Sequence, residues 1–62
     1  MPLLQNLKRV REEHRMTVQQ LSSRSAVSAD SILDYEELRL MASPRTARKL
    51  AEALRVRIED LK

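Results

Sequence analysis

The 62-residue sequence contains no cysteine, no glycine and only one aromatic residue. Without cysteine, the chain has no disulfides and no zinc sites built on thiolates. Without glycine, it has no P-loop and no glycine-rich dinucleotide-binding turn. The single histidine, His14, would need carboxylates to complete a metal site, and no pattern of nucleophile, base and metal ligands accompanies it. We therefore expect no enzyme activity, no metal and no cofactor.

Long apolar runs are also missing, because no stretch approaches the roughly 18 residues of a membrane-spanning helix. The first five residues have neither the charged nor the apolar region of a signal peptide. We expect a soluble cytoplasmic protein, associated with the nucleoid if it is natural, with no membrane partner and no small-molecule substrate. The length predicts a single domain over residues 1–62 with a small core, because chains of this size bury only about 60% of their unfolded surface.

The residues that are present favour helices: leucine, arginine, glutamate, alanine and serine dominate, and β-branched residues are few. Thr17 with Gln20 three residues later has the pattern of a capping box. Ser28 is a further N-cap, and Ser43-Pro44 places a cap before a first-turn proline. These starts and the apolar spacing predict five helices, over residues 3–14, 17–25, 28–38, 44–54 and 56–61, the last being a short turn or helix.

Several segments share their order and spacing with one family. They are LKRVREE at 7–13, Met16-Thr17 with Leu21, Val27-Ser28, Ile32 with Tyr35-Glu36, and RTARKLAEAL at 45–54 followed by Val56. In this register nearly the whole chain resembles the phage-repressor (lambda-repressor-like, Cro/XRE type) helix-turn-helix family. The resemblance implies a compact all-α, five-helix domain with the helix-turn-helix at helices two and three. It also implies sequence-specific binding of double-stranded DNA by a small transcriptional regulator, with a possible homodimer on paired half-sites.

The resemblance also implies residue roles, with helix three in the major groove and helix two across it. The implied base contacts are Ala29, Asp30, Ser31, Leu33 and Asp34. The implied DNA backbone contacts are Thr17, Val18, Gln19, Arg39, Ser43 and Arg45. Val18 departs from the glutamine that the family commonly has, so one phosphate donor is missing there. Arg11 and Glu36 match a structural ion pair between helices one and three.

The absence of glycine is the second departure from the family, which usually has glycine after helix one, in the helix-turn-helix turn, and after helices three and four. Those positions hold Arg15, Ala26, Leu38 and Arg55. A non-glycine residue in a left-handed conformation costs about 1–2 kcal/mol. Each turn therefore either carries that strain or is remodelled, and we expect helix three to continue past Leu38. The replacements fit a redesigned member of the family as well as a natural one.

Charge is the third departure, because residues 28–38 hold four carboxylates and no cation while the flanking segments are basic. Asp30 and Asp34 could accept hydrogen bonds from cytosine amines. Alternatively, Asp30 favours the helix N-terminus electrostatically and Asp34 is merely exposed, or both carboxylates oppose DNA. Leu33 could contact thymine methyl groups. In the alternative function, the surface of Leu33, Leu38, Leu40 and Met41 serves a helical protein-interaction or dimerisation module.

Overall fold

The computed structural model describes residues 2–62, which form four α-helices and one 3-10 helix. The α-helices are α1 (Leu7–Glu13), α2 (Val18–Ser25), α3 (Ala29–Glu36) and α4 (Pro44–Leu54), and Ile58–Asp60 form the 3-10 helix. The predicted all-α class is confirmed, but the count of five α-helices is wrong. After α4 the chain makes only two i→i+3 hydrogen bonds, from Asp60 N to Arg57 O and from Leu61 N to Ile58 O, each 2.9 Å. This short turn is enough to bring Leu61 into the core.

Side-chain caps begin three of the helices where the sequence predicts them. At α2 the capping box is complete, with Gln20 N donating to Thr17 Oγ1 (3.0 Å) and Thr17 N donating to Gln20 Oε1 (2.8 Å). Ser28 caps α3, and Ser43 caps α4 with Pro44 in the first turn. These starts are confirmed because the cap chemistry is local and does not depend on tertiary context.

The predicted start of the first helix at residue 3 is wrong, because α1 begins only at Leu7. The residues before it are bound to distant parts of the chain instead. The Pro2 carbonyl accepts a hydrogen bond from Ala42 N (3.0 Å), and Asn6 N donates to Leu61 O (2.9 Å). These tertiary bonds hold the segment in a non-helical path that still buries Leu4.

All four positions singled out for their missing glycine have left-handed backbone angles, with φ between 55° and 63°. Arg15, Leu38 and Arg55 each close a helix with the paired hydrogen bonds of a Schellman motif, and Ala26 closes α2 with one bond to Ser22 O (2.9 Å). The chain therefore carries the backbone strain and keeps its turns short.

The expectation that helix three continues past Leu38 is wrong, because α3 ends at Glu36. Leu38 N donates to Tyr35 O (3.2 Å) and Arg39 N donates to Asp34 O (2.9 Å), which turns the chain back at the helix end. The turn places Ala42 in the core and on the Pro2 carbonyl. Burial and hydrogen bonding at Ala42 thus outweigh the local preference for continued helix.

The core lies between the four helices. Among the residues described, 2–62, it holds twelve buried apolar residues: Leu4, Leu7, Val10, Leu21, Val27, Ile32, Ala42, Ala47, Leu50, Ala51, Leu54 and Leu61. The apolar stripe of α4 is buried as its spacing predicts. α2 packs against both α3 and α4, while α1 packs against α3. As a result α3 is held on one side by its neighbours and keeps its opposite side exposed.

The Ser28 cap provides a test of the helix starts. Ser28→Ala is expected to lower the free energy of unfolding by about 1 kcal/mol, because the N–H of Ser31 loses its acceptor. Ser28→Gly should lower it by only a few tenths of a kcal/mol. Urea unfolding followed by circular dichroism measures both, and equal losses in the two variants would contradict the capping role.

Candidate nucleic-acid interface

The turn between α2 and α3 is short and held by two hydrogen bonds, from the N–H groups of Ala26 and Val27. Ala26 turns the chain in the left-handed conformation, and Ser25 Oγ accepts a hydrogen bond from Val27 N (3.2 Å). Ser25 and Val27 are both buried, so the turn is anchored in the core. Ser28 then starts α3 directly. The angle between the two helices is therefore fixed by the turn and by their packing, as a helix-turn-helix unit requires.

The predicted base-contacting residues lie on α3 around its exposed side. Asp30 and Leu33 are exposed, and Ala29, Ser31 and Asp34 are half-buried. Ile32 is fully buried and anchors the opposite side of the helix. The Ser31 hydroxyl already accepts a hydrogen bond from Ser28 Oγ (2.9 Å), and Asp34 is bound by Arg39. Asp30 and Leu33 are thus the base-facing candidates that have no partner among residues 2–62.

The predicted DNA backbone contacts are placed at the starts of α2 and α4 and just after α3. Gln19, Arg39 and Arg45 are exposed. Thr17 and Ser43 use their side-chain oxygens to cap helices, since Ser43 Oγ accepts from Thr46 N and donates to Thr46 Oγ1. Val18 packs against the core. Of these positions Arg45 offers an unpaired charge to phosphate, whereas Arg39 is bound to Asp34. Thr17 and Ser43 act through the helix N-termini that they cap.

Arg11 and Glu36 join the end of α3 to α1 in a partly buried, two-pronged ion pair. Arg11 Nε donates to Glu36 Oε2 (2.6 Å) and Nη2 donates to Oε1 (3.2 Å), while Nη1 donates to the Met16 carbonyl (2.7 Å). The side chains are only 12% and 2% exposed. The hydrogen bond to Glu36 raises the pKa of Arg11. Burial lowers this pKa, but by less, so the pKa stays above its ordinary value. This pair positions α3 and does not face solvent.

A second ion pair, which the sequence reasoning missed, joins Asp34 to Arg39 with Nε and Oδ1 3.0 Å apart. Residues five apart do not meet on a regular helix. They meet here because the left-handed residue Leu38 reverses the chain after α3. The family's glycine position at Leu38 was the available signal for the turn, but the side-chain contact itself depends on the folded chain.

Other kinds of site are not seen in the described part of the chain. Over residues 2–62 no group of three or more histidine, aspartate and glutamate side chains could hold a metal ion. None of the helices there has the length and apolar character needed to cross a membrane.

Comparison with known proteins gives the family. A family model described as helix-turn-helix matches residues 7–61. The chain is 43% identical over 58 residues to the HTH-type transcriptional repressor RghR of Bacillus subtilis (strain 168). The aligned part covers 92% of this chain but 43% of that repressor, so the chain spans less than half of its relative's length. No solved structure gives a significant match. With the helix-turn-helix geometry at α2 and α3, these matches show that the chain belongs to the helix-turn-helix family of Cro/XRE type.

Proposed function

We propose that the chain binds double-stranded DNA sequence-specifically, with α3 in the major groove, and acts in transcriptional regulation. The observation that carries the proposal is the helix-turn-helix unit itself, whose second helix is anchored by Ile32 and exposes its other side. The family match and the similarity to a transcriptional repressor support it. The base contacts are proposed to come from the exposed side of α3. We also propose that the protein acts in the cytoplasm, where it would meet its DNA.

The positive charge in the first half of α4 supports contact with phosphates. Among residues 2–62, Arg45, Arg48 and Lys49 at the start of α4 form no ion pair, and all three are exposed. Cations at this end of a helix are unfavourable for the helix dipole. This effect falls off within the first turn, so it applies to Arg45. Contact with the DNA backbone would offset the unfavourable position of that cation.

Salt dependence tests phosphate contact at this site. The logarithm of the binding constant for a mixed-sequence duplex should fall linearly with the logarithm of salt concentration, by about 0.9 per phosphate neutralised. Arg45→Glu is expected to weaken binding and to make the slope shallower by about one contact. Lys8→Glu on α1 changes the net charge equally at a position outside the proposed contacts, and it should leave the slope nearly unchanged. Equal effects of both variants would indicate a response to net charge alone.

A homodimer on two half-sites is also proposed. The domain measures 25 × 22 × 18 Å, so one copy covers about one half-site. Two copies related by a two-fold axis would read half-sites one helical turn apart, about 34–36 Å. Duplexes with half-site spacing varied by single base pairs should show tightest binding at one turn, and affinity independent of spacing would contradict the dimer.

Protein interaction is the second candidate function, and one observation favours it. Leu33, Leu38, Leu40 and Met41 are 43% to 51% exposed, and an exposed apolar patch is typical of a protein-interaction surface. If association is their function, Leu40→Ser with Met41→Ser should abolish self-association in analytical ultracentrifugation and, because the charge is unchanged, leave binding to a single half-site intact. A wild-type chain that stays monomeric at high concentration would remove the self-association form of this candidate.

A further inference from the structure

The pair formed by Asp34 and Arg39 is held at two points. Arg39 Nε donates to Asp34 Oδ1 (3.0 Å), and the backbone N of Arg39 donates to the Asp34 carbonyl (2.9 Å). The backbone bond belongs to the Schellman motif that ends α3. An exposed ion pair alone is worth little because it costs side-chain entropy, but here the backbone bond also fixes the point from which the Arg39 side chain extends. The Arg39 guanidinium therefore has a preferred position at the end of α3.

That position lies on the side of α3 that is opposite the core. Successive helical residues are about 100° apart, so Asp34 and Asp30 both lie roughly half a turn from Ile32. Ile32 is fully buried. Asp34 thus belongs to the same exposed stripe as Asp30, and it brings the Arg39 guanidinium to the edge of this stripe. The side chains are 38% and 59% exposed, so the pair is open to a ligand.

The donors of Arg39 are only partly used. A guanidinium carries five N–H groups, and the single one on Nε is taken by Asp34. Nη1 and Nη2 make no hydrogen bond within residues 2–62, so four donors remain in a planar fork. This fork matches the O6 and N7 acceptors of guanine in the major groove. Asp34 uses Oδ1 to hold Arg39 and keeps the lone pairs of Oδ2, so direct reading of a cytosine amine by Asp34 is the alternative that the variants below separate.

We infer that Arg39 is a specificity-determining residue that reads a guanine, and that Asp34 is the positioning residue that aims it. The inference rests on the proposed DNA-binding function and moves the base contact from Asp34 to Arg39. A guanine contact is favoured over a phosphate contact because the adjacent carboxylate offsets the charge of Arg39 and would itself be repelled by phosphate. The Asp34 carboxylate engages only Nε of Arg39, so the N–H groups on Nη1 and Nη2 remain available to hydrogen-bond a base.

Selection from randomised duplexes, followed by measured affinities for single-base variants of the selected site, tests the assignment. The wild-type chain should prefer guanine at one position by about 10-fold or more. Arg39→Ala should remove that preference and leave the other positions unchanged. Arg39→Lys keeps the charge but not the fork, so it should lose most of the preference while keeping the salt slope. Arg45→Ala is the matched control and should weaken binding to all bases alike.

Asp34→Ala separates positioning from direct reading. It should reduce the guanine preference at the same position as Arg39→Ala, and the double variant should be no worse than Arg39→Ala alone. It should also tighten non-specific binding, because a carboxylate is removed. Thermal unfolding of each variant shows whether the fold is intact.

Three results would overturn the inference. Uniform weakening on all sequences by Arg39→Ala would make Arg39 a phosphate contact. A selected site without a guanine preference would exclude the guanine contact. A cytosine preference lost in Asp34→Ala but kept in Arg39→Ala would make Asp34 the reader. If the wild-type chain retains no duplex at low salt, the proposed function itself fails, which is distinguishable from all three.

Discussion

Replacing Arg11 with methionine is expected to lower the free energy of unfolding by about 3–5 kcal/mol. The change leaves the Glu36 carboxylate, 2% exposed, without its two-pronged partner, and it also removes the donor to the Met16 carbonyl. Domains are stable by about 0.05–0.15 kcal/mol per residue, which for this length is comparable to the expected loss. We therefore expect Arg11→Met to be largely unfolded at 25 °C, measured by urea unfolding or by circular dichroism.

The double variant Arg11→Met with Glu36→Leu is the control for this prediction. Replacing both partners of a buried ion pair by apolar residues is often neutral, because no uncompensated charge is left. We expect the double variant to recover most of the lost stability. Its DNA affinity then reports whether the pair positions α3 beyond holding the fold together. A loss below about 1 kcal/mol in Arg11→Met would show that the pair behaves like an exposed one.

Introducing glycine at the four left-handed positions should raise the free energy of unfolding by about as much as Arg11→Met lowers it. Arg15, Ala26, Leu38 and Arg55 each have φ near 60°. Removing the Cβ clash is worth about 1 kcal/mol per position, after allowance for the greater entropy of glycine in the unfolded chain. The quadruple variant should gain about 4 kcal/mol, which corresponds to a rise in Tm of roughly 15 °C or more.

Arg48→Gly is the matched control, since it makes the same change as Arg15→Gly and Arg55→Gly at an exposed position inside α4. It should lower stability by about 1 kcal/mol. Differential scanning calorimetry of the single variants separates the two behaviours. If glycine at Arg15 or Arg55 is as destabilising as at Arg48, the backbone there is not left-handed.

Local chemistry explains which parts of the fold are readable from the sequence. The helix starts can be predicted from the caps Thr17, Ser28 and Ser43, because each cap bonds to a residue only three positions away. The apolar stripe of α4 is likewise local. The helix ends were harder, because the usual marker is glycine and the chain has none. The four positions could be named only through the family resemblance.

Tertiary contacts explain the parts that were not readable. The start of α1 depends on bonds from Pro2 and Asn6 to the distant residues Ala42 and Leu61. The end of α3 depends on the same bond at Ala42, and the reversal at Leu38 creates the contact between Asp34 and Arg39. No spacing rule for a continuous helix predicts such contacts, so the details of the interface beyond α3 itself required the folded chain.

The central claim is that α3 reads DNA sequence, and selection from a fully randomised duplex library tests it most directly. We predict that repeated rounds with the wild-type chain at low salt enrich a site with a shared preference over a few adjacent base pairs. Leu33→Ser, which changes the exposed side of α3 without touching the core, should change that preference without loss of folding. Duplexes retained with no shared sequence, or no duplex retained at low salt, would contradict the account.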